Sequence, residues 1–219
     1  MLQNRPMTPD KISGNALPAA ILQALTGRGR TRTFAARSIV INEGDSTQSL
    51  YIVVSGLLRV YSSSDEGREV MLAEYGPGEY FGELALDGGT RSASVRAVEA
   101  STCCLVDGPE LKTLLAEHPD FALHLTYKLI RKVRQLTEQV KSLALQDVYG
   151  RMARLLTELA KPEGDRLVVA HKLTQQDIAE RIGSSREMVN RVLKELFAGG
   201  YVSLHDGRYT LHRKLPARW

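Results

Sequence analysis

Two stretches of the chain concentrate side chains whose types and spacing suit them to hold anions. The first is Gly82-Glu-Leu-Ala-Leu86, followed by Arg91-Ser-Ala-Ser-Val95. A short turn led by glycine exposes backbone N–H groups to an anion. Gly82, Glu83, Leu84 and Ala85 would form that turn. Arg91 adds a planar fork of donors matched to phosphate oxygens, and Ser92 adds a hydroxyl. Glu83 can accept a bond from a ribose 2′-hydroxyl. A plainer alternative makes Glu83 and Arg91 a salt bridge between two turns.

The second stretch is Thr174-Gln-Gln-Asp-Ile-Ala-Glu-Arg-Ile-Gly183, followed by Ser184-Ser-Arg-Glu-Met-Val-Asn-Arg-Val-Leu-Lys194. Thr174 with Asp177, and Ser184 with Glu187, each place a hydroxyl three residues before a carboxylate, the signature of a helix start. Gly183 supplies the residue tolerant of positive φ that a tight turn needs. Two short helices about one glycine make a helix-turn-helix. At about 100° per residue, Val189, Val192, Leu193 and Leu196 share one side of the second helix. Arg186, Glu187, Asn190, Arg191 and Lys194 form an arc opposite. An arginine can bond guanine twice in the major groove, and a carboxylate can accept from cytosine. Thr174, Gln175, Gln176, Ser184 and Ser185, at the two helix starts, complete the set expected to face DNA. The alternatives are an ordinary amphipathic surface helix and, for Glu187, a capping role alone.

Other chemistries find little purchase. Cys103 and Cys104 are adjacent, which suits neither a disulfide framework nor a metal knuckle. His118, His124, His171, His205 and His212 are scattered without metal-ligand spacing. No Ser-His-Asp set, paired carboxylates or Gly-x-x-x-x-Gly-Lys run appears, so catalysis is not expected.

Residues 1–29 read as a loose arm and a short helix. Residues 30–118 carry short β-rich runs, such as Leu50-Tyr-Ile-Val-Val54 and Leu57-Leu-Arg-Val-Tyr61, separated by glycine turns. That pattern predicts an antiparallel sandwich, barrel or roll. Over 119–146, Leu129, Val133, Leu136, Val140 and Leu143 alternate steps of four and three, a coiled-coil seam expected to pair with a second copy. The flanking Lys128, Arg131, Lys132, Arg134, Glu138 and Lys141 are expected to keep the other faces in water. In 147–219, Asp147 caps a helix over Val148–Ala160, Lys161–Asp165 is a turn, and Asp206-Gly207 closes a hairpin that would form a wing. The fold class is α+β.

Of the 219 residues, 43% are hydrophobic and 25% charged, ordinary for a globular protein. From Asp147 onward there are 13 Lys/Arg against 9 Asp/Glu, whereas the preceding part balances at 16 against 16. The excess positive charge thus accompanies the helix-turn-helix, as suits a partner that is a polyanion. No apolar run is long enough to cross a bilayer and no signal peptide is evident, so the expected location is the cytoplasm.

From about Thr33 to His212 the sequence resembles the cyclic-AMP receptor protein/fumarate-nitrate regulator (CRP/FNR) family. The likeness is carried by the Ser-Arg-Glu-x-Val-x-Arg run at Ser185–Arg191, within Leu173–Leu196, and by the Gly82–Leu86 and Arg91–Val95 cassette. The resemblance implies a transcription regulator, an activator in the first instance with repression left open, with a ligand-binding β-roll, a dimerisation helix and a winged helix-turn-helix. It implies that Arg186, Glu187 and Arg191 contact TGTGA-like half-sites of a palindromic operator. It also implies that RNA polymerase is a partner, which by analogy to the family the Lys161–Asp165 turn would meet. Cyclic AMP is the ligand the likeness points to first. Two departures leave cyclic GMP and cyclic di-GMP open. The Leu86–Arg91 loop is about two residues short, and the position where the family sets adjacent Thr and Ser against adenine holds Leu136 and Thr137. Only Thr137 keeps a hydroxyl there. A ligand-independent member is the remaining alternative; the cysteine cluster of the iron-sulfur members is missing from residues 1–102.

Overall fold

The computed structural model describes residues 16–164 and 166–216. The chain packs as two compact units. One holds the residues up to Ser62 together with Leu72–Arg134; the other holds Ser63–Met71 with the residues from Gln135 onward.

The first unit begins with α1 (Ala19–Arg28) and continues through eight strands. They are β1 (Arg30–Phe34), β2 (Ile39–Ile41), β3 (Leu50–Ser55), β4 (Leu58–Ser63), β5 (Glu69–Tyr75), β6 (Tyr80–Phe81), β7 (Ser94–Ala97) and β8 (Ser101–Val106), of which Ser63 of β4 and Glu69–Met71 of β5 are grouped with the other unit. They form two four-stranded sheets, ordered β1-β8-β3-β6 and β2-β7-β4-β5. β3 shows why this sequence makes a layered structure. Its side chains alternate between faces with a period of two. Tyr51 and Val53 join Phe34, Leu58, Phe81 and Val95 in a core drawn from both sheets. Leu50 and Ile52 instead meet residues of α1, α2 (Gly108–Glu117) and α3 (Pro119–Leu145). Cys103 and Cys104, neighbours on β8, are divided between these two cores by the same alternation. Both thiols are free and buried, and burial pushes that of Cys103 up to about 12. A structural role accounts for the pair.

α3 continues into the second unit. Val133, Leu136, Val140 and Leu143 are all exposed along it, so the apolar seam expected for a partner helix is open in the single chain. The expectation that Lys128 and Lys132 lie in water is corrected. Lys128 is buried and Lys132 half-buried, because their helix turns face the roll rather than solvent.

The second unit contains α4 (Val148–Leu159), α5 (Gln175–Ile182), α6 (Arg186–Ala198) and strands β9 (Ala160–Glu163), β10 (Arg166–Val169), β11 (Val202–His205) and β12 (Arg208–Leu211). The Asp147 carboxylate accepts from Gly150 N–H at 2.7 Å and starts α4. The expected hairpin forms: Asp206 and Gly207 both have positive φ, the geometry that matches strand twist in a two-residue turn. The wing is larger than the sequence suggested. Its sheet has order β11-β12-β10-β9, and Lys161–Glu163, read as part of a turn, belongs to a strand. Backbone pairing with β10 overrides the poor strand preference of Lys-Pro-Glu.

Candidate functional site

In the first unit, the segment that follows β6 is organised by Arg91. Gly82 has φ of +92°, and Glu83–Asp87 form a single 3₁₀ turn. A side chain at position 82 would meet Arg91 Nη1 at 2.7 Å and the Ser49 carbonyl at 2.9 Å. Glycine is therefore needed for both the backbone angle and the approach of the guanidinium. Arg91 is 4% exposed. Its Nη1 donates to the Gly82 carbonyl at 3.0 Å, Nη2 to the Ser49 carbonyl at 2.7 Å and Nε to Thr47 Oγ1 at 2.9 Å. Burial holds the guanidinium below its usual pKa, partly opposed by Tyr51, Asp45 and Glu83. Arg91 is thus a tie between loops as well as a candidate phosphate ligand, with two of its five N–H groups not engaged in those three bonds.

The alternative of a Glu83–Arg91 salt bridge is not what forms. Glu83 Oε1 lies 3.0 Å from Lys128 Nζ, and both side chains are almost fully buried. Lys128 also donates to the Tyr80 carbonyl. Burial lowers the Lys128 pKa, and the Glu83 charge counters it. One turn further along α3, Lys132 Nζ donates to the Leu72 carbonyl at 3.0 Å, and burial lowers its pKa too. Gly82, Glu83, Leu84, Arg91 and Ser92 line one cavity of about 120 Å³ with Tyr75, Leu129 and Lys132. The Ala85 side chain lies outside the described residues. Thr137 is exposed on α3 and is not among the residues lining the cavity. Sequence reasoning missed Lys128 and Lys132. Their signal was present as a four-residue spacing on the helix, but in an apolar seam a lysine reads as a solvated flank.

In the second unit, the Thr174 hydroxyl accepts from Asp177 N–H, while the Asp177 carboxylate accepts from Thr174 N–H, a complete capping box. Gly183 ends α5 at φ 62°, ψ 52°. The second helix start falls one residue later than the spacing suggested. Ser185, not Ser184, is the cap, and its hydroxyl accepts from Met188 N–H at 3.2 Å. Glu187 is accordingly in the first turn. Its own backbone N–H and the Ser185 hydroxyl hold its carboxyl below the usual range.

The face assignment of α6 is as its periodicity requires. Val189, Val192, Leu193 and Leu196 are buried in the unit's core, while Arg186, Glu187, Arg191 and Lys194 are exposed. Asn190 is half-buried and accepts from Gln175 Nε2 at 3.2 Å, linking the two helices. Gln176 donates to Glu180 at 3.1 Å; Thr174 and Gln176 are exposed at the start of α5, and Ser185 is exposed at the start of α6. Ser184 is half-buried. The arrangement presents a mixed but mainly cationic strip on a rigid helix, anchored on its other side. Among the described residues no group of three or more His, Cys, Asp or Glu could hold a metal ion.

Comparison with known proteins yields matches to both halves. The pattern of the cyclic nucleotide-binding domain matches residues 31–118, and that of the Crp-like helix-turn-helix domain matches residues 150–214. A CRP-like cAMP-activated global transcriptional regulator of Mycobacterium tuberculosis is 34% identical over 199 residues, 89% of this chain and 88% of the relative. The cAMP-activated global transcriptional regulator CRP of Escherichia coli is 33% identical over 181 residues, 78% of this chain and 84% of the relative. Among solved structures, the c-di-GMP-responsive global regulator CLP of Xanthomonas campestris superposes with a TM-score of 0.79 at 27% identity, over 90% of this chain and 100% of that one.

Proposed function

Because the chain belongs to the CRP/FNR family of transcription regulators, ligand-controlled proteins that bind DNA, we propose that it is a homodimer switched by a cyclic nucleotide, cyclic AMP foremost. The nucleotide phosphate is held by the free N–H groups of Arg91, by Ser92 and by the Gly82–Ala85 turn, and its ribose by Glu83. Two copies join along the exposed seam of α3. Each then inserts the start of α6 into a major groove of a palindromic operator with TGTGA-like half-sites about 34 Å apart, one helical turn. Arg186, Glu187 and Arg191 read bases, while Thr174, Gln175, Gln176, Ser184, Ser185, Asn190 and Lys194 fix the register. The observation that carries this reading is the exposed α6 strip, whose residue types match major-groove edges.

Control follows from where the cavity lies. Its volume of about 120 Å³ is below the roughly 300–1,000 Å³ of most small-molecule sites. A nucleotide seated there would fill it and press on its walls, and Leu129 and Lys132 make α3 one of them. A ligand that shifts this wall acts on the same helix that bears the seam. To activate, it must favour the DNA-competent packing over the other. The proposed setting is the cytoplasm; among the described residues no helix is long and apolar enough to cross a membrane. RNA polymerase is the proposed further partner, through the exposed Lys161–Gly164 segment; Asp165 lies outside the described residues.

Cyclic di-GMP is the second reading. Arg91 and Lys132 both line the cavity, two cations suited to more than one phosphate. Thermal unfolding of the purified protein with cyclic AMP, cyclic GMP and cyclic di-GMP separates the cases. The largest stabilisation is expected from cyclic AMP. A melting curve unmoved by all three would leave the ligand-independent alternative standing.

A further inference from the structure

The Glu83–Lys128 pair has a feature that holding a phosphate does not explain. Lys128 is 7% exposed, and lysine is almost never buried to that extent unless paired. Its Nζ lies over the ring of Tyr80, 3.8 Å from the centroid, and 5.0 Å from that of Tyr75. Together with the bond to the Tyr80 carbonyl, these contacts hold the ammonium in place. Glu83 is held by one oxygen only. Its other oxygen, Oε2, is buried and has no hydrogen-bond partner among the described residues. The side chain is about nine-tenths buried, and the residue lines the cavity. A buried acceptor left open in this way needs an explanation.

We propose that Lys128 is a positioning residue for ribose recognition: it holds and orients Glu83 through Oε1 so that Oε2 accepts a bond from the 2′-hydroxyl of the bound nucleotide. A lone carboxylate beside the ligand phosphate would be repelled by like charge and would turn away. Paired with Lys128 it is electrically neutral as a unit yet retains an acceptor. The ammonium never touches the ligand and acts through Glu83.

This inference rests on the nucleotide reading above, and the test is chosen to separate the two. Calorimetric titration of the full-length protein compares cyclic AMP with 2′-deoxy cyclic AMP. Wild type is expected to prefer the ribose form by about tenfold or more, as for a hydrogen bond to a charged group. Lys128→Met and Lys128→Gln should bring that ratio close to one while leaving the affinity for the deoxy compound largely unchanged. A lysine that merely fills space would weaken both nucleotides alike and leave the ratio intact; that result overturns the inference. Equal binding of the two compounds by wild type overturns it also. Should the single lysine variants fail to fold, Lys128→Met/Glu83→Gln leaves no buried charge unpaired and carries the test. Its ratio and affinities should equal those of Glu83→Gln, whereas a further loss for both compounds shows that Lys128 works otherwise. Failure of wild type to bind either nucleotide removes the nucleotide reading itself.

Discussion

Arg91→Ala offers a quantitative check on how the ligand cassette is built. The guanidinium is 4% exposed and satisfies the carbonyls of Gly82 and Ser49 as well as the Thr47 hydroxyl. Each buried carbonyl stripped of its donor costs about 1–3 kcal/mol. The dehydration of the charge is recovered in the variant and offsets part of this. The net loss expected is about 2–4 kcal/mol. For a unit of this size, 1 kcal/mol moves the melting temperature by roughly 3–6 °C, so the roll should melt about 6–24 °C lower in the absence of any nucleotide. Differential scanning calorimetry on the free protein measures this directly. Arg91→Lys, which keeps a charge but loses the fork, should fall between the two. If Arg91→Ala melts within about 2 °C of wild type, the guanidinium is not tying the three loops together. Its role would then be confined to ligand binding, contrary to the argument from its contacts.

The remaining predictions concern separate elements. Ser185→Ala should cost about 1 kcal/mol of stability in the second unit through the lost cap, and Ser184→Ala much less; chemical denaturation of the two variants distinguishes the cap positions. Burial lowers the His124 pKa below its ordinary 6.5, with Arg131 and Lys128 adding to the effect. The folded state therefore binds fewer protons than the unfolded state once the pH drops below 6.5, and stability must fall with pH from there downward. Denaturation midpoints between pH 7.5 and 5.5 should show that fall in wild type and a flatter profile in His124→Gln. Val133 and Val140 are 62% and 65% exposed on the seam. Val140→Glu would set like charges in the apolar contact of two copies, so light scattering should report a shift from dimer to monomer at micromolar concentration.

Much of this architecture can be read from the residues, and the places where reading fails share a cause. Local rules served where local interactions decide the outcome. Thr174 and Asp177 form the box their spacing implies, Gly183 takes the left-handed conformation, and Val189, Val192, Leu193 and Leu196 are the buried face of α6. The hairpin at Asp206-Gly207 follows from two residues that accept positive φ. The errors arise where a distant partner overrides local preference. Lys161-Pro-Glu163 has no strand signature, yet β10 pairs with it. Ser184 and Ser185 are equivalent candidates by type, and packing selected the second. At the ligand cassette, Gly82, Glu83, Arg91 and Ser92 stand together around one cavity as their chemistry suggests. The ion-pair partner of Glu83 was not legible, because Lys128 lies more than forty positions away on a helix where a lysine is ordinarily solvated.

The outward strip of α6 is proposed to read DNA bases under control of the cassette. The direct measurement is titration of a duplex, selected from a randomised pool by the wild-type protein, with wild type, Arg186→Ala and Arg191→Ala, each with and without cyclic nucleotide. Nucleotide is expected to tighten wild-type binding, and each arginine variant to lose about 1–3 kcal/mol on the selected duplex with relaxed preference at one base. Binding to an unrelated duplex should change far less. Variants that bind the selected duplex as tightly and as selectively as wild type would contradict that reading.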